Sequence, residues 1–247
     1  MKAVRMHGYG GVEQLFYEDA DEPRLIEPDD VIVKLKAAAI NHIDIWNRMG
    51  ATGIVVPMPH ILGADGAGVV LVVGQKVANV KVGDPVCLYP LTGCGQCEFC
   101  LTDRDFLCFR LRVLGERLEG TYAQYVKLPA QNCFPMPQDY SFEEAAAFPL
   151  VSITLWRMLI TNAELKPGET ILIIGIGGGV ASASMQLAKH IGARVLVTSG
   201  SDAKLEHARS LGADHGINHR NKDIVAAVQA LTENRGVDIV LDCVGGE

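Results

Sequence analysis

Apolar positions divide the chain into two stretches with different periods. Up to about residue 135 they come in short runs bounded by turn formers. Residues 31–37 run or alternate apolar around Lys34 and Lys36, and residues 66–74 form a valine-rich run closed by glycines. Such runs suit a pleated, half-buried surface. Residues 82–88 place a turn ahead of another strand, since Pro85 has no N–H for a ladder. This stretch is predicted to be irregular all-β with little helix. From Ser141 the pattern changes: a serine cap, Glu143 and Glu144 in the first turn and alanines at 145–147 predict a helix start. Pro149 interrupts, a second helix is predicted over residues 152–163, and Pro167-Gly168 ends it. Strand and helix then alternate, with strands at 170–174, 194–198, 215–218 and 237–242 and helices at 180–191, 202–211 and 224–233. Continuously apolar strands joined by helices imply a parallel sheet covered on both faces. Two domains follow, a β domain over residues 1–150 and an α/β domain over 151–247.

Composition narrows the function classes. With 22 basic and 29 acidic residues in 247, the net charge of −7 argues against nucleic acid as a partner. The N-terminus has no apolar signal region, and the apolar run at 69–73 is too short to cross a bilayer. A cytoplasmic location with no membrane partner is the expectation.

Four of the seven cysteines, Cys94, Cys97, Cys100 and Cys108, are spaced C-x2-C-x2-C-x7-C in a lobe at about residues 93–110. Four thiolates this close can surround a tetrahedral zinc at about 2.3 Å and leave no position for water, so one structural zinc is expected. An iron–sulfur cluster or four unligated thiols are the alternatives. Cys87, Cys133 and Cys243 read as small buried hydrophobes.

The run Gly175-Ile176-Gly177-Gly178-Gly179-Val180 stands between a buried strand and a helix. Glycines there let the backbone approach a pyrophosphate, and the helix N-terminus favours its charge. Gly175, Gly178, Gly179 and Val180 are the candidate contacts; a plain strand-to-helix turn is the competing explanation. The second strand ends in Thr198-Ser199-Gly200-Ser201, without the carboxylate that would bind the ribose 2′-hydroxyl of NAD(H). Asp202 reads as a first-turn helix residue, and Lys204 lies one turn in. Ser199, Gly200, Ser201 and Lys204 suit a 2′-phosphate, which favours NADP(H) over NAD(H).

In their order along essentially the whole chain, the cysteine lobe, Gly63-Ala64-Asp65-Gly66-Ala67-Gly68 and the nucleotide loop resemble the medium-chain dehydrogenase/reductase superfamily. The resemblance implies α/β plus β architecture, a GroES-like β-barrel followed by a partial Rossmann doubly wound sheet. The catalytic-zinc ligands of the family's alcohol dehydrogenases fall on Asn41, Ala64 and Leu150, none of them a usual ligand, so loss of that zinc is implied. The chain is similar instead to the zinc-free quinone oxidoreductase branch in Asn41, Asp44, Arg48 and Gly50, in Gly63, Asp65, Ala67 and Gly68, and in the 2′-phosphate cluster Gly200, Ser201 and Lys204. A tyrosine of that branch is His219 here, and the branch usually lacks the cysteine lobe, so the chain looks like a hybrid.

The resemblance implies NADPH-dependent reduction of a small-molecule quinone, α,β-unsaturated carbonyl or enoyl compound by hydride transfer without a catalytic zinc. Asn41 would be a polar contact beside the nicotinamide, Asp44 would orient the loop, His42 would be the proton donor and Thr154 a cofactor contact. A structural hydrogen-bonded pair is the alternative for His42 and Asp44. Two rivals stand: a zinc-dependent alcohol dehydrogenase with a metal site rebuilt from His42, His60 or Asp65, and a non-catalytic NADP(H)-binding protein. With a 3-2-1-4-5-6 strand order the fourth strand would be left as an edge, so either a truncated product or a homo-oligomeric contact over that edge is expected.

Overall fold

A computed structural model describes residues 1–245; Gly246 and Glu247, the last two of the predicted second domain, lie outside the described residues. The chain separates into two compact units, one ending at Leu150 and one starting at Val151.

The first unit is built from antiparallel sheets. Strands β1 (Lys2–Met6), β2 (Leu15–Asp19), β3 (Asp30–Ala39), β4 (His60–Ile61), β5 (Asp65–Val73), β6 (Pro85–Leu88), β7 (Leu91–Thr92), β8 (Arg112–Val113), β9 (Tyr125–Pro129) and β10 (Cys133–Pro135) follow in chain order. They pair as a three-stranded sheet β2-β1-β4, a five-stranded sheet β10-β6-β5-β3-β9 and a ribbon β7-β8. The two runs predicted from sequence become β3 and β5, whose long pairing is broken by two register shifts that bend the sheet. Val31, Val33, Val70, Val86, Leu88 and Leu128 close the barrel core.

One element departs from the all-β expectation. Helix α1 (His42–Met49) buries only Asp44 and Asn47, while Trp46 and Met49 are exposed. A helix whose buried side is polar leaves no apolar stripe to read. It starts where the Asn41 N–H donates to Asp44 Oδ2 at 2.8 Å, and it stops at Gly50 in left-handed backbone.

Helix α2 (Phe142–Ala147) begins as expected. Ser141 Oγ accepts from the Glu144 N–H at 3.2 Å, and Glu144 Oε2 accepts from the Ser141 N–H at 2.8 Å. Its Ala145 and Ala146 pack on Ala67 of β5. Helix α3 (Pro149–Trp156) starts at the proline rather than three residues after it, then widens into a π-helical stretch, Arg157–Asn162. Proline has no N–H to satisfy at a first helical position, so Pro149 opens the helix instead of interrupting it.

The second unit carries β11 (Thr170–Ile174), α4 (Gly179–Ile191), β12 (Arg194–Ser199), α5 (Asp202–Ser210), β13 (His215–Asn218), α6 (Ile224–Leu231) and β14 (Ile239–Asp242). All four strands are parallel, in the order β13-β12-β11-β14. Alternate residues of one strand serve opposite faces. Ile171, Ile173, Val195 and Val197 pack with Met185 and Ala188 of α4 and Leu205 of α5, whereas Leu172, Leu196 and Ile217 pack with Val228 of α6. Both faces are covered, which is why these strands read as unbroken apolar runs. Helix α6 ends two residues before the predicted Glu233, because Glu233 and Asn234 take left-handed backbone. Among the described residues β14 is an edge strand, with Val240 exposed. No described helix is long and apolar enough to cross a membrane.

Candidate functional site

Asp65 lies at the start of β5 with no exposed surface; two distant segments meet at its carboxylate and a third at its backbone carbonyl. Asn41 Nδ2 donates to its Oδ2 at 2.9 Å, and the Leu150 N–H donates to its Oδ1 at 2.9 Å. The Thr121 hydroxyl holds its backbone carbonyl at 2.7 Å. Burial pushes the Asp65 carboxyl up to about 6, against the lowering effect of those two donors, and the neighbouring Asp44 adds slightly to the rise.

Asp44 faces into the same wall. Its Oδ2 accepts the Asn41 N–H and the Tyr122 hydroxyl, the latter at 2.8 Å. Burial raises the Asp44 carboxyl, and burial together with the Asp44 charge drives the Tyr122 phenol far above its usual range, so that phenol stays a donor. Gly63 makes this approach feasible: at φ 104°, a Cβ there would lie 2.5 Å from Thr121 Oγ1 and 2.6 Å from the Tyr122 ring. Tyr122, Thr121 and the Leu150 N–H had no sequence signal, because nothing local in the chain marks partners 78, 56 and 85 residues away.

The pairing of His42 with Asp44 is not formed. His42 is exposed at the first turn of α1 and meets Trp46 edge-on at 5.2 Å, since the two side chains are four residues apart on one helical face. Arg48 donates to the Gly10 carbonyl at 2.9 Å and so ties α1 to the loop after β1. His60, proposed for a rebuilt metal site, is buried on β4 with Nδ1 3.8 Å from Glu119, and burial lowers its pKa. Among the described residues, the four lobe cysteines form the group of three or more metal-donating side chains close enough to share an ion; His42, His60 and Asp65 do not. A catalytic zinc does not fit the positions where the resemblance would put it. Ala64 and Leu150 carry no side-chain ligand atom, and Asn41 is an amide whose Nδ2 donates to Asp65.

The cysteine lobe does fit a metal. The Sγ atoms of Cys94, Cys97, Cys100 and Cys108 lie within 4.8 Å of one another, with Cys97–Cys100 at 3.5 Å and Cys94–Cys100 at 3.9 Å. These separations suit four thiolates around one zinc. Backbone N–H groups of Cys94 and Arg110 also donate to Cys108 Sγ, each at 3.4 Å. Asn132 anchors the base of the lobe through the Tyr89 and Leu91 carbonyls. Of the remaining cysteines Cys133 is buried and Cys87 half-buried, but Cys243 is exposed rather than part of a core, because it follows the edge strand β14. A groove of about 930 Å³ between residues 19–30 and the lobe carries mixed charge and does not include Asn41 or Asp65.

In the second unit the glycine turn joins β11 to α4. Gly175 and Gly177 take φ of 75° and 116°, and Gly178 is the N-cap of α4 without a capping side chain. Nothing lies within 4 Å of where a Gly178 Cβ would stand. Uncapped first-turn N–H groups beside open backbone suit a pyrophosphate, so the residues fit a dinucleotide. Gly179 and Val180 form the first turn of α4, and Thr154 lies on α3. At the end of β12 Ser199 is buried, its Oγ accepting the Ser201 N–H at 3.2 Å, and Ser201 caps α5 through the Lys204 N–H. His219 and Arg220 close over Gly200 from the turn after β13, and Arg220 is a contact that sequence reading missed.

Comparison with known proteins adds the ancestry of this arrangement. Residues 27–138 match the family model described as alcohol dehydrogenase GroES-like domain, and residues 179–247 the one described as zinc-binding dehydrogenase. A zinc-type alcohol dehydrogenase-like protein of Schizosaccharomyces pombe is 36% identical over 245 residues, which cover 96% of this chain and 67% of the relative. A solved NAD-dependent alcohol dehydrogenase is 45% identical with a TM-score of 0.95, covering 99% of this chain and 71% of that one. A quinone oxidoreductase of Pseudomonas syringae pv. Tomato DC3000 is 34% identical with a TM-score of 0.83, covering 99% and 67%. The chain spans from 59% to 71% of the length of the curated relatives it matches.

Proposed function

The chain belongs to the medium-chain zinc alcohol dehydrogenase superfamily, and from that premise we propose that it reduces a quinone, α,β-unsaturated carbonyl or enoyl compound with NADPH, using no catalytic zinc. The observation that carries this reading is the closed contact around Asp65. Where a catalytic ion would need three donors, the side chains are an amide, oriented by its Nδ2 on Asp65, a methyl group and an isobutyl group. Without a Lewis acid an alcohol has no means of stabilising its alkoxide, whereas a conjugated acceptor spreads the charge and needs only hydrogen-bond donors.

The nicotinamide supplies the hydride when bound. The chain's own residues do the rest. Gly175, Gly178, Gly179 and Val180 take the pyrophosphate, with Thr154 a further contact, and Ser201, Lys204 and His219 favour the 2′-phosphate. Asn41 gives a polar contact whose amide Asp65 holds in place, and Asp44 holds the start of α1. The exposed His42 ring exchanges a proton with solvent and delivers it to the reduced substrate. The cysteine lobe holds one zinc, which stabilises its fold without entering the chemistry. The substrate is a small molecule and the site of action is the cytoplasm, with no nucleic-acid or membrane partner.

NADPH oxidation by the purified chain against a panel of quinones and enones, with zinc counted in the same sample, tests the reading. Turnover with one zinc per chain is expected. The names of the relatives favour a second reading, a zinc-dependent alcohol dehydrogenase, which requires two zincs and alcohol oxidation with NAD. Nucleotide binding without any turnover would leave a non-catalytic binding protein.

A further inference from the structure

Basic side chains converge on bare backbone at the end of β12. A Cβ at Gly200 would lie 2.9 Å from Arg220 Nε and 3.1 Å from His219 Nε2, so both side chains cover the one residue that has none. Lys204 reaches the other way, across the glycine turn, where a Gly177 Cβ would lie 2.8 Å from its Cδ and 3.4 Å from its Nζ. Asp202, at the first position of α5, brings a carboxylate to the same end of β12. Left mobile, it would be free to accept a ribose 2′-hydroxyl and to repel a 2′-phosphate.

It is not left mobile. Asn218, the last residue of β13, donates from Nδ2 to Asp202 Oδ1 at 2.7 Å. The other end of the same amide, Oδ1, accepts the Arg220 N–H at 3.1 Å. One side chain thus ties down the acid and sets the backbone of the nearest cation. The register of the turn is held as well, by the His219 N–H on the Ser199 carbonyl at 3.2 Å.

We propose that Asn218 is the specificity-determining positioning residue of the nucleotide site, fixing Asp202 and presenting Arg220 over Gly200 so that a ribose bearing a 2′-phosphate is selected over one bearing a 2′-hydroxyl. The inference rests on the NADPH reading and names what enforces it. Arg220 is the cation that meets the phosphate, and His219 stands beside it.

Calorimetric titration of the full chain with NADPH, NADH, 2′,5′-ADP and 5′-AMP separates the two questions. The wild type is expected to bind each 2′-phosphorylated ligand more tightly than its partner; the reverse order would overturn the NADPH reading before any variant is made. Arg220→Gln, an exposed change, is expected to weaken NADPH and 2′,5′-ADP about tenfold, the scale of one charge-assisted contact, and to leave NADH and 5′-AMP unchanged. Asn218→Ala is expected to weaken the phosphorylated pair by a similar factor while NADH holds or gains, and adding Asp202→Asn is expected to recover part of that loss. Equal weakening of all four ligands by Asn218→Ala, or no effect of Arg220→Gln, would overturn the assignment.

Discussion

Replacing Asp65 by asparagine keeps the size of the side chain and removes its charge, and the structure determines how the cost of that change varies with pH. The carboxyl titrates near 6 in the folded chain against an ordinary value of 3.8, chiefly because it is buried. A group whose native pKa is raised binds its proton more tightly folded than unfolded. Its contribution to stability is therefore complete below the unfolded value and is lost as pH rises through the folded one. A span of about 2 pH units at 1.36 kcal/mol each sets a ceiling of about 3 kcal/mol. The hydroxyl oxygen of a protonated carboxyl still accepts weakly where an amide NH2 cannot. Against the protonated wild type the variant therefore gives up about 1 kcal/mol of hydrogen bonding from the Asn41 Nδ2 or the Leu150 N–H, and the stronger bonds of the ionised form are already contained in the net shift. At about pH 4 the variant is then the less stable protein. By about pH 7.5 the wild type has given up most of its advantage, and the gap closes or inverts.

Calorimetric melting of both proteins from about pH 4 to pH 8 reads this directly, because titrating groups remote from Asp65 cancel in the difference and the coupling to Asp44 is the smallest contribution to the shift. For a chain of this length about 3 kcal/mol corresponds to roughly 6–12 °C, so the variant's melting temperature should climb relative to the wild type by up to that amount. A gap that stays constant would mean that the burial of Asp65 does not perturb it. A gap that widens as pH rises would refute the reasoning more deeply: it would mean that a cation beside Asp65 holds it ionised, as a rebuilt metal site would.

Two further outcomes follow from the lobe and the glycine turn. Cys108→Ser, or a strong chelator, is expected to remove the zinc proposed for the lobe and lower the melting temperature of the first unit, with metal loss by elemental analysis tracking the shift; unchanged melting after complete metal loss would exclude a stabilising role. Gly178→Ala places a methyl in space that is empty in the free chain and at a φ of −88° that alanine tolerates. It is expected to cost under about 1 kcal/mol of stability but to weaken NADPH binding more than tenfold, measured by melting and by fluorescence titration. Unimpaired binding would move the pyrophosphate away from this turn.

What the sequence revealed and what it concealed follow from how far apart the interacting residues are. The second unit was legible nearly residue by residue, because Ile171, Leu172 and Ile173 are all apolar for one reason: both faces of their sheet are covered. The cysteine lobe was legible because its four cysteines fall within fifteen residues, a local spacing that needs no fold to interpret. Helix α1 was hidden, since Asp44 and Asn47 face inward where a pattern of apolar residues would have announced it. The candidate sites divide the same way. Gly178 and Ser201 could be placed by their neighbours in the chain, whereas the partners of Asp65 are 24 and 85 residues away.

Distance in the chain also measures what Asp65 does for the fold: from its place beside Ala64 its carboxylate ties together Asn41 and Leu150, two otherwise remote segments. Two hydrogen bonds to a buried carboxylate are worth about 1.5–3 kcal/mol each when the group is charged, and less when it takes up a proton. The cross-link is thus strongest above pH 6, where the desolvation of the carboxylate also costs most, and the two effects oppose each other at one residue. A binding site that needs Asn41 held in one orientation gains from that arrangement at neutral pH even as the folded chain loses stability there. Asp65 is accordingly expected to be a position where substitution changes binding and stability in opposite directions.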